Sequence, residues 1–327
     1  MAALGDDADD VQADGGVAVA QQRRPAGPVT AGPGSPAPWL VVVLGIVGFA
    51  AGVVVLLIGA GPESSAFRAT LGFKAWAATI GAQTAYWAIV AGPLWRDVAT
   101  AWRRAQAGRL AAVVVAVALL VAVVCVALSS PVVRWPLEGH RWKILLLTAV
   151  GSVLVAVPAL AGVALVHERV RHRSAAPIDS SSVVVLLEAR AEALRFLSVA
   201  GGVIGLAVLA TGALRHATVE GGFVAGGDFP PEAVLLYGAV FTGLLAFVYV
   251  PAHLALQGLA RRVRDHHFPL QDMPVPDSPD APAWLERRAR FGDLLAVDAP
   301  PLRQLEASLF IVAPLLSAIL SHLIPGG

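Results

Sequence analysis

The chain has 327 residues, of which 57% are hydrophobic and only 14% charged, well under the quarter or so that ordinary soluble domains carry. A net charge of +1 is too small for a nucleic-acid binder. The single cysteine, Cys125, excludes an internal disulfide or a cysteine-based metal site. Mean hydropathy is +0.70, and the apolar residues come in long blocks. A bilayer core needs about 20 apolar helical residues to cross it, and blocks of that length recur. Backbone groups in lipid must be satisfied internally, by helices or closed barrels. The blocks lack the alternation of barrel strands. The fold class read from these features is all-α: a polytopic helical membrane protein of the plasma membrane, with the lipid bilayer as its main solvent.

Residues 1–38 are rich in Ala, Gly, Asp and Pro and cannot bury enough apolar surface to fold alone, so they read as a disordered tail. They show neither the basic start nor the short apolar core of a secretory signal, so the first apolar block reads as a retained anchor. The helical membrane domain is expected over 39–327. Its first span is 39–61, where Gly48 and Gly52 form a G-x-x-x-G pair that lets another helix backbone approach closely.

The second apolar stretch, 71–95, decides the count. It is long enough to cross, yet it carries Lys74, Thr79, Gln83, Thr84 and Tyr86. If it spans, there are seven transmembrane helices and the N-terminus is cytoplasmic. If it lies along the surface, there are six and the tail moves outside. Length favours seven, and Lys74 sits near one end, from which its ammonium can snorkel to water. A basic segment, 96–109, follows.

The remaining spans read as 110–128, 144–166, 199–214, 233–256 and 307–324. Trp135 and Trp142 flank a loop at 129–143 and suit the interfacial belt. An amphipathic helix is expected over 183–198, continuing into the span at 199. Gly201 and Gly205 form a second G-x-x-x-G pair there, although Gly201–Gly202 equally suits a bend. A second amphipathic helix is expected over 284–297, inside the long polar connection 257–306.

Loop charges orient the chain. With 71–95 spanning, the tail's side carries eighteen Lys and Arg and the opposite side five, with Lys74 in the span itself. Cytoplasmic loops carry the excess, so the N-terminus is read as cytoplasmic and the C-terminus as outside.

Candidate chemistry is sparse. His167 and His172 are five apart, whereas H-E-x-x-H needs histidines four apart on one helical face. His266 and His267 are adjacent and diverge on a helix. No Gly-rich phosphate loop, nucleophile elbow or paired intramembrane carboxylate occurs, so no catalytic residue, cofactor or metal ligand is assigned. Thr79, Gln83 and Tyr86 share one helical face at i, i+4 and i+7, a candidate intramembrane polar face. Such a stripe usually serves as interhelical hydrogen-bond glue. The reading that follows is a non-catalytic scaffold or sensor with a protein partner on its cytoplasmic side, or a homo-oligomer. The alternative is a small-solute transporter or channel through Gln83 and Tyr86, and a membrane enzyme using His266 and His267 ranks last.

Overall fold

The computed structural model describes residues 37–58, 64–105, 138–219, 221–297 and 309–319, with isolated residues between 112 and 119. The tail before residue 37, the span expected at 110–128 with Cys125, and both ends of the span expected at 307–324 lie outside the described residues. Among the described residues the structure is helical, without strands.

The helices are α1 (Pro38–Leu57), α2 (Ser65–Ala69), α3 (Leu71–Ala105), α4 (Glu138–Gly151), α5 (Val157–Ala175), α6 (Ser181–Val219), α7 (Pro231–His267), α8 (Asp280–Leu294) and α9 (Leu309–Ile319). A π turn, Ser152–Ala156, joins α4 to α5 without a break. Four helical stretches are long and apolar enough to cross a membrane: Pro38–Leu57, Trp142–Ala175, Ser181–Val219 and Pro231–Asp272.

Helix α3 is too polar to join those four by composition, but its neighbours show how it runs. Gly72 lies against Ala217, Tyr86 against Val199, Asp97 pairs with Arg195, and Arg104 with Glu188 and Glu192. Rising numbers on α3 therefore meet falling numbers on α6, end to end. The two helices are antiparallel neighbours over nearly their whole length. The basic stretch after Trp95, read from sequence as a separate segment, is a continuation of α3 to Ala105. Helix formers and the ion pairs to α6 carry the helix past the apolar block.

Helix α1 packs on α3 through glycines. A Cβ on Gly48 would sit 2.7 Å from the Thr84 carbonyl oxygen, and one on Gly52 would sit 2.2 Å from the Thr84 hydroxyl. Gly201 meets the Phe310 carbonyl of α9 in the same way, at 2.5 Å, and Gly205 faces Ser317. Helix α6 continues through Gly201–Gly202 without interruption.

The π turn has a local cause. Pro158 lacks the N–H that an α-helix would offer to the Leu154 carbonyl. The chain widens there, so that the Val157 N–H bonds Ser152. The indole Nε1 of Trp95 donates to the Leu154 oxygen at 3.0 Å.

The cytoplasmic expectations also change in detail. Asp179 caps the start of α6. Its carboxylate accepts from the Ser182 N–H, while the Ser182 hydroxyl accepts from the Asp179 N–H. Helix α7 runs on to His267, beyond the apolar block. Helix α8 begins at Asp280 and ends in a Schellman turn. There Val297 N–H bonds Gly292, Ala296 N–H bonds Asp293, and Ala296 takes a φ of 48°. Leu295 and Val297 beyond it are buried, and Arg190 of α6 donates to the Leu295 carbonyl at 2.7 Å.

Candidate functional site

A cavity of about 120 Å³ lies among α3, the α4–π–α5 helix, α6 and α7. Most of its wall is apolar, from residues such as Ile80, Leu160, Ile204 and Leu244. The polar groups on it are Gln83, Thr148, Ser152, Thr211, Tyr237 and the indoles of Trp76 and Trp87. Cavities of roughly 150 Å³ in other proteins accommodate benzene. This one therefore suits a solute of a few heavy atoms, or several waters.

Local structure aims these groups inward. Gln83, Trp76, Ile80 and Trp87 recur every three or four residues and so share the buried face of α3. Thr148 and Ser152 are four apart on the opposing helix, at the start of the π turn. Gly151 between them removes a side chain that would strike Trp87, since a Cβ there would lie 2.3 Å from the indole ring. Glycine thus lets the Trp87 ring lie flat against the α4 backbone and wall the cavity. The Trp87 Nε1 is buried and has no hydrogen-bond partner among the described residues.

The three residues of the expected polar face have different fates. Thr79 donates to the Trp76 carbonyl of its own helix at 2.7 Å and does not line the cavity. Tyr86 turns toward α6: its hydroxyl lies 3.5 Å from the Val199 oxygen and fills the space that Gly202 leaves open. Gln83 alone of the three lines the cavity, and its amide makes no hydrogen bond among the described residues. The hydroxyls of Thr148 and Ser152 are likewise unbonded among the described residues, whereas Thr211 donates to Ala207.

Trp76 also belongs to a second cluster, at the end of the bundle where α3 begins. Its ring contacts the His140 imidazole, with centroids 6.0 Å apart, and Phe67 and Phe73 complete the enclosure. His140 is buried, and neither ring nitrogen has a hydrogen-bond partner among the described residues. Burial, with Lys143 and Arg68 nearby, pushes its pKa down to about 4, so the ring is neutral at neutral pH. Lys143, one turn on, is fully buried and donates to the Leu56 carbonyl in the last turn of α1 at 2.8 Å. That carbonyl is one of the unbonded acceptors at a helix C-terminus, where a cation is favoured.

No family model, no curated protein and no solved structure matches the chain in comparison with known proteins. The site has to be read from its own geometry.

His266 and His267 stand at the last turn of α7, where His267 packs on Phe291 of α8 with ring centroids 5.3 Å apart. Among the described residues no group of three or more His, Asp or Glu is placed to hold a metal ion. The sequence reading did not single out His140, Thr148 or Ser152. It treated 129–143 as a loop, which hid the one-turn spacing of His140 and Lys143. The Thr148/Ser152 pair flanking Gly151 in an apolar run was the available signal for the second wall.

Proposed function

We propose that the chain is a multi-pass membrane protein with seven spans, N-terminus cytoplasmic and C-terminus outside, that admits a small neutral solute to the cavity between α3 and α6, as a transporter or channel does. The seven-span reading is supported by the end-to-end antiparallel course of α3 beside α6. A partner of a membrane-length helix shares its path, and 35 residues make a helix of roughly 52 Å, ample for a crossing. The orientation rests on the loop charges.

The solute reading is carried by one observation, the unbonded Gln83 amide on the cavity wall. Interhelical glue would have its amide bonded to a neighbouring helix, because a buried amide without a partner costs about 1–3 kcal/mol. An amide left open on a cavity wall that also carries Thr148 and Ser152 among apolar residues fits an occupant with one polar and one apolar side. The test is osmotic re-swelling of proteoliposomes with glycerol, urea and short alcohols, followed by light scattering. At least one solute should enter faster than into protein-free vesicles, and Gln83→Leu should abolish the difference. Identical rates in proteoliposomes and empty vesicles for the whole panel would overturn the proposal.

A second reading, a non-catalytic scaffold or sensor with a cytoplasmic protein partner, is favoured by α8. It buries Trp284 while Leu285 and Leu294 remain exposed. Deleting 284–297 would also remove Leu295 and Val297 from the core, so the sharper test is Leu285→Glu with Leu294→Glu. Loss of a co-purifying protein from an otherwise intact membrane protein would favour this reading, and an unchanged set would count against it.

A further inference from the structure

At the other end of the bundle, where α3 and α5 finish and α6 begins, there is a second and larger cavity of about 520 Å³. Its wall carries Arg104, Arg169, His172 and Arg173 against one carboxylate, Glu188, with Ala105, Ala176 and Val185 between them. Three arginines thus meet one carboxylate on the wall itself, and Glu192 and Asp179, outside the wall, balance the other two formally. Cations from separate helices converge on it, Arg104 from α3 and Arg169 and Arg173 from α5.

These arginines do have internal partners. Arg104 reaches Glu192 at 3.0 Å and Glu188 at 3.9 Å, Arg169 reaches Glu192 at 3.1 Å, and Arg173 holds Asp179, Ser181 and Ser182. The pairing falls short of what a guanidinium offers, which is five donors. Arg169 Nε and Nη2 and Arg173 Nε are buried and donate to nothing among the described residues. Glu192, itself inside the network, is shared between two arginines. Buried orphan donors on guanidinium groups that line one hollow call for an anion with several acceptor oxygens.

We infer that this cavity binds a phosphate group. The loop charges put it at the cytoplasmic membrane boundary, where basic pockets between helices meet anionic headgroups. The same chemistry would take a phosphate from the aqueous phase. This inference rests on the basic cavity alone and stands whether or not the inner cavity carries a solute.

The experiment uses the full-length chain, delipidated in detergent, titrated with phosphatidylglycerol in mixed micelles and read by native mass spectrometry. Phosphatidylcholine and inorganic phosphate form the other arms. One saturating phosphatidylglycerol per chain is expected, with little phosphatidylcholine. Arg104→Gln should weaken it about tenfold, the change expected for one charge-assisted hydrogen bond. Arg104→Lys should recover part of that loss. Arg195→Gln is the control, because Arg195 is on the same side of the bundle, pairs with Asp97 and lies outside the cavity. Displacement of the lipid by inorganic phosphate would assign the site to a soluble phosphate, and no displacement to the lipid headgroup. Equal weakening by Arg104→Gln and Arg195→Gln, or no adduct of either probe, would overturn the inference. Arg104 is half-exposed, so its loss leaves the fold to report on binding.

Discussion

Where α3 finishes, Arg104 meets Glu188 and Glu192 in a half-open network. Where it begins, Lys143 lies fully buried against the Leu56 carbonyl, with no carboxylate paired to it among the described residues. The same bundle thus handles cations in two ways. At one end charge is balanced by opposite charge and screened by water. At the other an ammonium meets the dipole end of α1 and the Trp142 ring among the described residues, and the neighbouring histidine stays uncharged. Solvent-exposed pairs contribute little to stability, whereas a buried charge is costly once its partner geometry fails. The two ends should therefore respond very differently to substitution, acid and salt.

The largest effect is expected at Lys143. Lys143→Glu would bury a carboxylate against the negative end of α1 and should cost about 3–5 kcal/mol. Lys143→Met keeps the volume and removes the charge, and should stay within about 1.5 kcal/mol of the parent. Thermal unfolding in detergent measures both. If the two variants lose equal stability, the ammonium is not the group that the site is built around.

Acid separates the two ends by window. His140 has a folded pKa of about 4, below its ordinary value near 6.5. Above the ordinary value both folded and unfolded chains hold the ring neutral, so nothing is lost. As pH falls below it, the unfolded chain takes up the proton first, and stability falls until the folded pKa is reached. The loss is at most about 3 kcal/mol, and His140→Phe should remove it. Asp179 behaves as an acid held low, mainly by the Ser181 hydroxyl and then by Arg173. Its contribution is present above the ordinary carboxylate range and is lost only as pH falls below that range, so Asp179→Asn should alter the most acidic part of the curve alone. A single melting profile against pH, in the parent and these two variants, resolves the two steps. A parent flat between pH 6.5 and 4 would show that His140 is solvated.

What the sequence could convey follows the same division. The apolar blocks at 144–166, 199–214 and 233–256 each fall within a helix long and apolar enough to cross, and such a helix covers 39–57 of the block at 39–61, because length and hydropathy are local properties. The glycines at 48 and 52 were visible as a pattern, but that their neighbour is Thr84 on α3 is a tertiary fact. Glu192 and Arg195 are three apart, a spacing at which helical neighbours can pair. In the fold Glu192 turns to Arg104 and Arg169, and Arg195 takes Asp97, because charges from other helices lie closer. The polar face of α3 was legible as a stripe. Which of its members meets a cavity depended on the π turn at Ser152–Ala156 and on Gly151, neither of which announces itself in a run of apolar residues. His140 and Lys143 were hidden for a different reason. Burying a lysine without a carboxylate contradicts the local rule that charged residues near a span mark its watery edge.

The smallest effect is expected at the open end. The Arg104 side chain is about half-exposed in both of its pairs, and exposed ion pairs contribute about 0–1 kcal/mol. Arg104→Gln should therefore lower stability only slightly at low ionic strength. Raising salt beyond physiological levels should shrink even that difference, since charges in water are screened over about 8 Å at 0.15 M. The Lys143→Glu penalty should persist under the same salt, because ions do not reach a fully buried site. If salt erases the Lys143→Glu penalty as readily as the Arg104→Gln one, the two ends share one environment and the contrast between them fails.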